Sequence, residues 1–303
     1  MATLYTNQNS NIRKTWFLMT VFLVVIIGLG WFFSYYFGSP LILIIAVIFS
    51  VTMNIIAYWH SDKVVLKISG AQLVKREENR ELWNIVENLS ITAGLPMPKL
   101  YIIDDPAPNA FATGRNKNHA VVAVTTGLLS ILEKNELEGV IAHELSHIGN
   151  QDILILTVIV ILVGFIALLS DIFLRMTFFG SGNNRSRGDG KLGAILMLVG
   201  IVLAILAPIV ATLIKLAVSR KREFLADSSG ALLTRYPEGL ANALRKIEQH
   251  SAKMKKANHA IAHLFISDPY GKKSKMSFMH KIFLTHPPVE QRISALLNEE
   301  NYN

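Results

Sequence analysis

The sequence predicts an α+β, mostly helical membrane protein in which four transmembrane helices carry a hydrophilic core of helices and short strands. Three observations lead there. Of the 303 residues, 51% are hydrophobic and only 17% charged, an apolar balance for a chain of this size. Four apolar runs approach or exceed the roughly 20 residues that cover a bilayer's hydrocarbon core. The hydrophilic stretch from His60 to Asp152 alternates helical spacing with short β-rich segments.

The first run is Trp16 to Phe37, without a charge, and the turn Gly38-Ser39-Pro40 separates it from the second, Leu41 to Trp59. The first run is too long for the apolar part of a signal peptide and lacks a small-residue cleavage site after it. The third run, Ile153 to Leu169, is the shortest, and a buried helix of a soluble core is its competing reading. The fourth is Leu192 to Val218, interrupted by Pro208 and Lys215. Ser181 to Gly190 is rich in Gly, Ser and Asn and reads as a hairpin tip. The chain thus divides into an N-terminal tail and hairpin (1–59), a hydrophilic segment (60–152), a second hairpin (153–218) and a second hydrophilic segment (219–303).

Basic residues set the orientation. Arg13, Lys14, Lys63, Lys67, Lys75, Arg220, Lys221, Arg222 and Arg235 flank the ends that the termini share. Arg175, Arg185, Arg187 and Lys191 lie in the second loop on the other side. The larger set puts both hydrophilic segments in the cytoplasm. The formal charge of +8 comes with no nucleic-acid motif, so no nucleic acid is expected. The basic excess after residue 219 suits anionic lipid headgroups or plain solvation.

Within the first hydrophilic segment, Leu82, Ile85, Val86 and Leu89 recur at helical spacing over Glu77 to Ala93, and Gly94-Leu95-Pro96 stops the helix. Lys99 to Ile103, Phe111 to Thr113 and His119 to Val124 read as strands. Glu133 to His147 then reads as a helix, and its last turns carry His143-Glu144-Leu145-Ser146-His147. Histidines four apart on a helix project from one face and can share a metal. Glu144 between them is placed to take a proton from an attacking water that the metal activates. With no cysteine in the chain, any metal must be held by nitrogen and oxygen.

A catalytic zinc needs a third protein ligand. Glu223 is the best candidate, because the third run starts about six residues after His147 and the fourth ends about five before Glu223. A membrane hairpin therefore returns Glu223 to the side of the histidines, about 10 Å above the membrane surface. Asp227, one turn later, can accept the N–H of a ligating histidine. His119, His250, His259, His263 and His280 lack metal spacing and read as ordinary. Asn54, His60 and Lys215 could line a polar path, although Lys215 also suits snorkelling to the interface. Gln249 to Lys281 is basic and irregular, readable as a flap or as a lipid-contacting loop.

H-E-L-S-H, Glu223-Phe224-Leu225-Ala226-Asp227, Asn109-Ala110-Phe111-Ala112-Thr113-Gly114 and Thr285-His286-Pro287-Pro288 with Arg292 together resemble the HtpX heat-shock membrane proteases. Those are relatives of the CAAX prenyl endopeptidases. The order and spacing of the motifs, with the four spans, agree over nearly the whole chain. The resemblance implies one Zn²⁺ per chain in a gluzincin-like core, and a cytoplasm-facing endopeptidase in a multi-pass protein of the bacterial cytoplasmic membrane. It implies misfolded membrane proteins as substrates and membrane lipid as the other partner. It further implies that a sheet edge binds substrate, with Asn109, Ala110 and Phe111 at that edge, although Asn109 after Pro108 suits a turn equally well. His286 would steady the oxyanion, with Arg292 supporting the site. A narrow-specificity processing protease is the alternative, and a non-enzymatic membrane adaptor the remoter one.

Overall fold

The computed structural model describes residues 4–162, 164–165, 200, 220–258, 261–271 and 287–297. The fourth apolar run apart from residue 200, the hairpin tip and the end of the third run lie outside them, as do Lys215, His259, His280 and His286.

Among the described residues, two helices are long and apolar enough to cross a membrane, α1 (Leu4–Phe37) and α2 (Pro40–Trp59). Gly38, at φ 63°, makes the left-handed turn between them, and Pro40 starts α2 where its missing N–H costs nothing. Leu41, Ile44, Ile45, Ile48 and Ile55 of α2 face outward, which suits lipid rather than water. Aromatic residues gather at both ends of the pair. Trp16 packs on Tyr58 at one end, and Trp31, Phe32, Tyr35 and Tyr36 stack along the other. Twenty helical residues separate Trp16 from Tyr36, about 30 Å, the thickness of a hydrocarbon core. The stretch before Trp16, read from sequence as a tail, is helical from Leu4 and continuous with the span.

The hydrophilic part opens with α3 (Ser61–Ser69) and a two-residue strand, β1 (Gln72–Leu73), too short to leave a sequence signal. Next come α4 (Arg80–Thr92), capped by the Asn79 side chain, and β2 (Lys99–Ile103). β3 (Ala110–Gly114) and β4 (Ala120–Thr125) form a hairpin. The sheet order is β1-β2-β4-β3, with β2 and β4 parallel and the other pairs antiparallel. Among the described residues β3 is therefore an outer strand. Thr125 caps a short helix, α5 (Thr126–Ile131), which the sequence reading did not contain.

The helix α6 (Lys134–Gly149) starts with a capping box between Glu133 and Glu136. It ends at Gly149-Asn150, and Gln151 takes a left-handed φ of 57°. The chain then bends by 83° into α7 (Asp152–Leu162), the described part of the third apolar run. Ile153, Ile155, Val158, Ile159 and Leu162 are fully buried. One face meets Leu18, Met19, Phe22 and Ile26 of α1, while Val160 joins Val65, Phe111 and Phe265. α7 is thus covered by protein, unlike α2.

Beyond residue 219 come α8 (Arg220–Thr234), α9 (Pro237–Gln249) and α10 (Val289–Leu297). Leu240, Leu244, Ile247, Ile293 and Leu296 share one core with Leu82, Val122, Val140 and Ile141. Two hydrophilic segments far apart in sequence therefore fold around a single hydrophobic core, and α6 runs through it.

Candidate metal centre

Close helix approaches place the site. A Cβ on Gly139 would lie 2.7 Å from the backbone N of Leu240, so α9 rests directly on α6. A Cβ on Gly230 would lie 3.0 Å from the backbone N of His143, so α8 does the same one turn on. Glu223, Asp227 and Gly230 are spaced by four and three, which aligns them on the face of α8 that meets α6. Two turns before Gly230, that geometry delivers Glu223 to the two histidines.

His143 and His147 stand edge to face, ring centroids 4.8 Å apart, with their Nε2 atoms 3.2 Å apart. The Glu223 carboxylate lies 3.9 Å from His143 Nε2 and 3.7 Å from His147 Nε2. One ligand atom from each of the three residues falls within 4.8 Å of the others, and all three residues are buried. Glu144 is buried beside them.

The far side of each ring is tied to its own carboxylate. His143 Nδ1 is 2.9 Å from Asp227 Oδ1, as the sequence expected of Asp227. Arg292 holds Asp227 with a two-pronged fork, Nε to Oδ2 at 2.8 Å and Nη2 to Oδ1 at 2.7 Å. His147 Nδ1 is 3.0 Å from Asp152 Oδ2. Asp152 Oδ1 in turn accepts from Asn11 Nδ2 of α1 at 2.7 Å, and Arg222 Nε lies 3.9 Å away. Carboxylates on both Nδ1 atoms keep those positions protonated and turn both Nε2 atoms to the common point, so that the nitrogen offered to a metal, once deprotonated, is Nε2.

The electrostatics differ between the two rings. Burial pulls the His143 pKa down, and its bond to Asp227 does not reverse this. Burial also opposes charge on His147, but the Asp152 bond with the Glu223, Asp152 and Glu144 carboxylates pushes it up to about 9. Burial works to raise Asp227, yet the Arg292 charge and bonds, with His143, hold it down at about 2.

Sequence reasoning missed Asp152, Asn11 and Arg222. Asp152 is five residues after His147 and off its face on a straight helix; the 83° bend brings it round. Asn11 lies 141 residues from Asp152, in a stretch with no motif. The Asn109 side chain receives the backbone N–H of Ser267 and donates to its carbonyl, at 3.2 and 3.0 Å. Ile266 N donates to Ala110 O at 2.9 Å, and Phe265 packs edge-on against Phe111. Asn109, Ala110 and Phe111 are buried beneath this segment. His263 bonds the Leu156 carbonyl, while His119 and His250 make local hydrogen bonds, so none joins the centre.

The model of peptidase family M48 matches residues 76–300. The chain belongs to peptidase family M48. The M48 match spans both hydrophilic segments and every residue of the His₂Glu group. "Protease HtpX homolog" of Caldanaerobacter subterraneus subsp. tengcongensis is 47% identical over 296 residues, covering 97% of each chain. The protein so described from Thermococcus kodakarensis is 47% identical over 287 residues, covering 93% of this chain and 94% of that one. Among solved structures, Ste24p of S. mikatae aligns at a TM-score of 0.50 and 18% identity. That alignment covers 92% of this chain and 62% of Ste24p, so the likeness is one of fold and this chain is the shorter.

Proposed function

We propose that this M48 chain is a zinc endopeptidase with four transmembrane helices and its active site on the cytoplasmic side, cleaving misfolded or damaged membrane proteins and some cytoplasmic ones. The observation that carries the reading is the convergence of His143, His147 and Glu223, with both Nδ1 atoms bound to buried carboxylates. Two nitrogens and one carboxylate are a donor set that zinc favours. Asn11 and Gln8, at the membrane-proximal end of α1, bond Asp152 and Gly149, which keeps the centre within a few turns of the aromatic end of the span.

When bound, zinc supplies a Lewis acid that polarises the peptide carbonyl and lets a water ionise near neutral pH. His143, His147 and Glu223 would hold it, and Asp227 and Asp152 fix the imidazoles. Glu144, buried next to both rings, takes the proton of the attacking water and delivers it to the leaving amine. His286 donates to the oxyanion of the tetrahedral intermediate, by the family likeness. Substrate adds as a further strand along β3, where main-chain hydrogen bonds read no side chain and many unfolded sequences fit. Pairing at Asn109, Ala110 and Phe111 requires Ile266 and Ser267 to release this end of the strand.

The test is cleavage of casein and of unfolded membrane proteins by the purified chain in detergent, before and after chelation and zinc return. Wild-type protein should recover activity with zinc, and Glu144→Gln should bind zinc without cleaving. Equal cleavage by both proteins would remove Glu144 from the chemistry. Cleavage of one target among many would replace the broad reading with a narrow processing role.

A further inference from the structure

Each ligand histidine has its own carboxylate, but the two carboxylates are braced differently. Asp227 has both oxygens in the fork of the buried Arg292. Asp152, equally buried, has a guanidinium only at 3.9 Å, and the short bond to its Oδ1 comes from the amide of Asn11. That amide also donates to the Asn150 carbonyl at 3.2 Å, so it spans the bend between α6 and α7. Its place is fixed by the membrane helix. Thr15 bonds the Asn11 carbonyl, and from Leu18 to Ile26 the same helix packs against Leu154, Ile155, Val158 and Ile159 of α7.

We infer that Asn11 is a positioning residue for the metal centre: from the transmembrane helix α1 it holds Asp152 in the orientation that fixes His147 for metal binding. The inference rests on the metal-centre reading above. The argument is one of geometry. A buried carboxylate left without a donor on one oxygen turns towards whatever donor remains. Here that is Arg222, on the Oδ1 side. A turn that carries Oδ2 away from His147 Nδ1 frees the ring to rotate and to exchange tautomers, and the Nε2 lone pair is no longer preset. α1 is then part of the metal site as well as an anchor.

The experiment is a zinc titration of the full-length chain in detergent, in competition with a chelating dye, on apo protein. Partners of metal-ligating histidines are worth about 10- to 100-fold in affinity, and Asn11 acts one step further out, so Asn11→Leu should cost about five- to tenfold. Asn11→Asp keeps the side-chain shape and removes the donor, and should lose at least as much; it covers the case in which the leucine variant fails to fold. Gln8→Ala is the control. It removes a bond from the same helix to Gly149 O, beside the same bend, without touching Asp152, and should stay within about twofold. In an Asp152→Asn background, Asn11→Leu should have almost no further effect, because neighbours acting through one group are not additive. Cobalt-loaded protein should shift its visible absorption bands with Asn11→Leu and keep them with Gln8→Ala.

Undiminished affinity in both Asn11 variants, additivity with Asp152→Asn, or an equal loss in Gln8→Ala would overturn the inference. Failure of the wild type itself to bind zinc or cobalt would instead overturn the metal-centre reading.

Discussion

Replacing Arg292 with methionine removes the buried charge that keeps Asp227 ionised behind His143. The Asp227 pKa is held at about 2 from an ordinary 3.8, a difference of nearly two units. At about 1.4 kcal/mol per unit this is on the order of 2–3 kcal/mol of stability. Because the folded pKa is depressed, that stability is present above about pH 4 and is lost as pH falls towards 2. In the variant the sign reverses. Burial is then the main influence on Asp227 and favours its neutral form, so an uncompensated carboxylate costs about 3–5 kcal/mol at neutral pH. The assay is equilibrium unfolding of the metal-free protein in mixed micelles at about pH 7.5 and about pH 5. Arg292→Met should be less stable by about 3–5 kcal/mol at the higher pH, and the gap to wild type should narrow at the lower one as Asp227 takes up a proton. Zinc affinity should fall about 10- to 100-fold, since His143 loses its fixed partner. A loss under about 1 kcal/mol, or the same loss at both pH values, would refute the reasoning.

Zinc binding should expel a proton from His147, whose pKa in the metal-free protein is pushed up to about 9; affinity measured by dye competition should rise nearly tenfold per pH unit up to that value and then level off. The same raised pKa gives the metal-free protein stability that is complete below about pH 6.5 and lost as pH rises through about 9, so its melting temperature should fall over that window, and less so with zinc bound. Glu144→Gln should lower peptide cleavage by about 10²- to 10⁴-fold with zinc content unchanged by elemental analysis. Gly230→Val should lower stability by about 1–3 kcal/mol in the unfolding assay and weaken zinc binding, because its side chain would push α8 off the backbone at His143.

What could be read from sequence was whatever local spacing encodes. The sequence places the strand Lys99–Ile103 at its observed bounds and the α6 helix within one residue at its start and two at its end. Helix periodicity and the capping of Asn79 and Glu133 are written within a few residues. Glu223 is legible on the expectation that the third and fourth apolar runs form a hairpin returning the chain to its starting side, and Asp227 because it lies one helical turn further on. What was not legible depends on tertiary direction. The 83° bend after Gly149 has no sequence marker beyond Gly149-Asn150, and without it Asp152 belongs to no face of the motif helix. β1 is two residues long, and its pairing with β2 is set by the sheet edge rather than by its own pattern. The helical form of residues 4–15 follows from docking against α7 and the bend, which no periodicity in a polar stretch announces.

The placement of the two histidine supports has a physical logic that the hydrophilic segments alone cannot satisfy. Asp227 lies 84 residues after His143 in sequence, and Arg292 comes from the far end of the chain. Asp152 is beside His147 in sequence, yet its short second bond comes from α1. Residues 60–152 therefore contain both histidines and the base Glu144, but neither Glu223, nor Asp227 with its counter-charge, nor the Asn11 donor. Buried carboxylates without partners destabilise a fold, so these groups are favourable only once α1, α7 and the two hydrophilic segments have packed together. The contacts of α1 with α7 are apolar over Leu18 to Ile26 and become polar at Asn11, the level of Asp152. Correct seating of the membrane helices and completion of the metal centre are, on this geometry, one packing event.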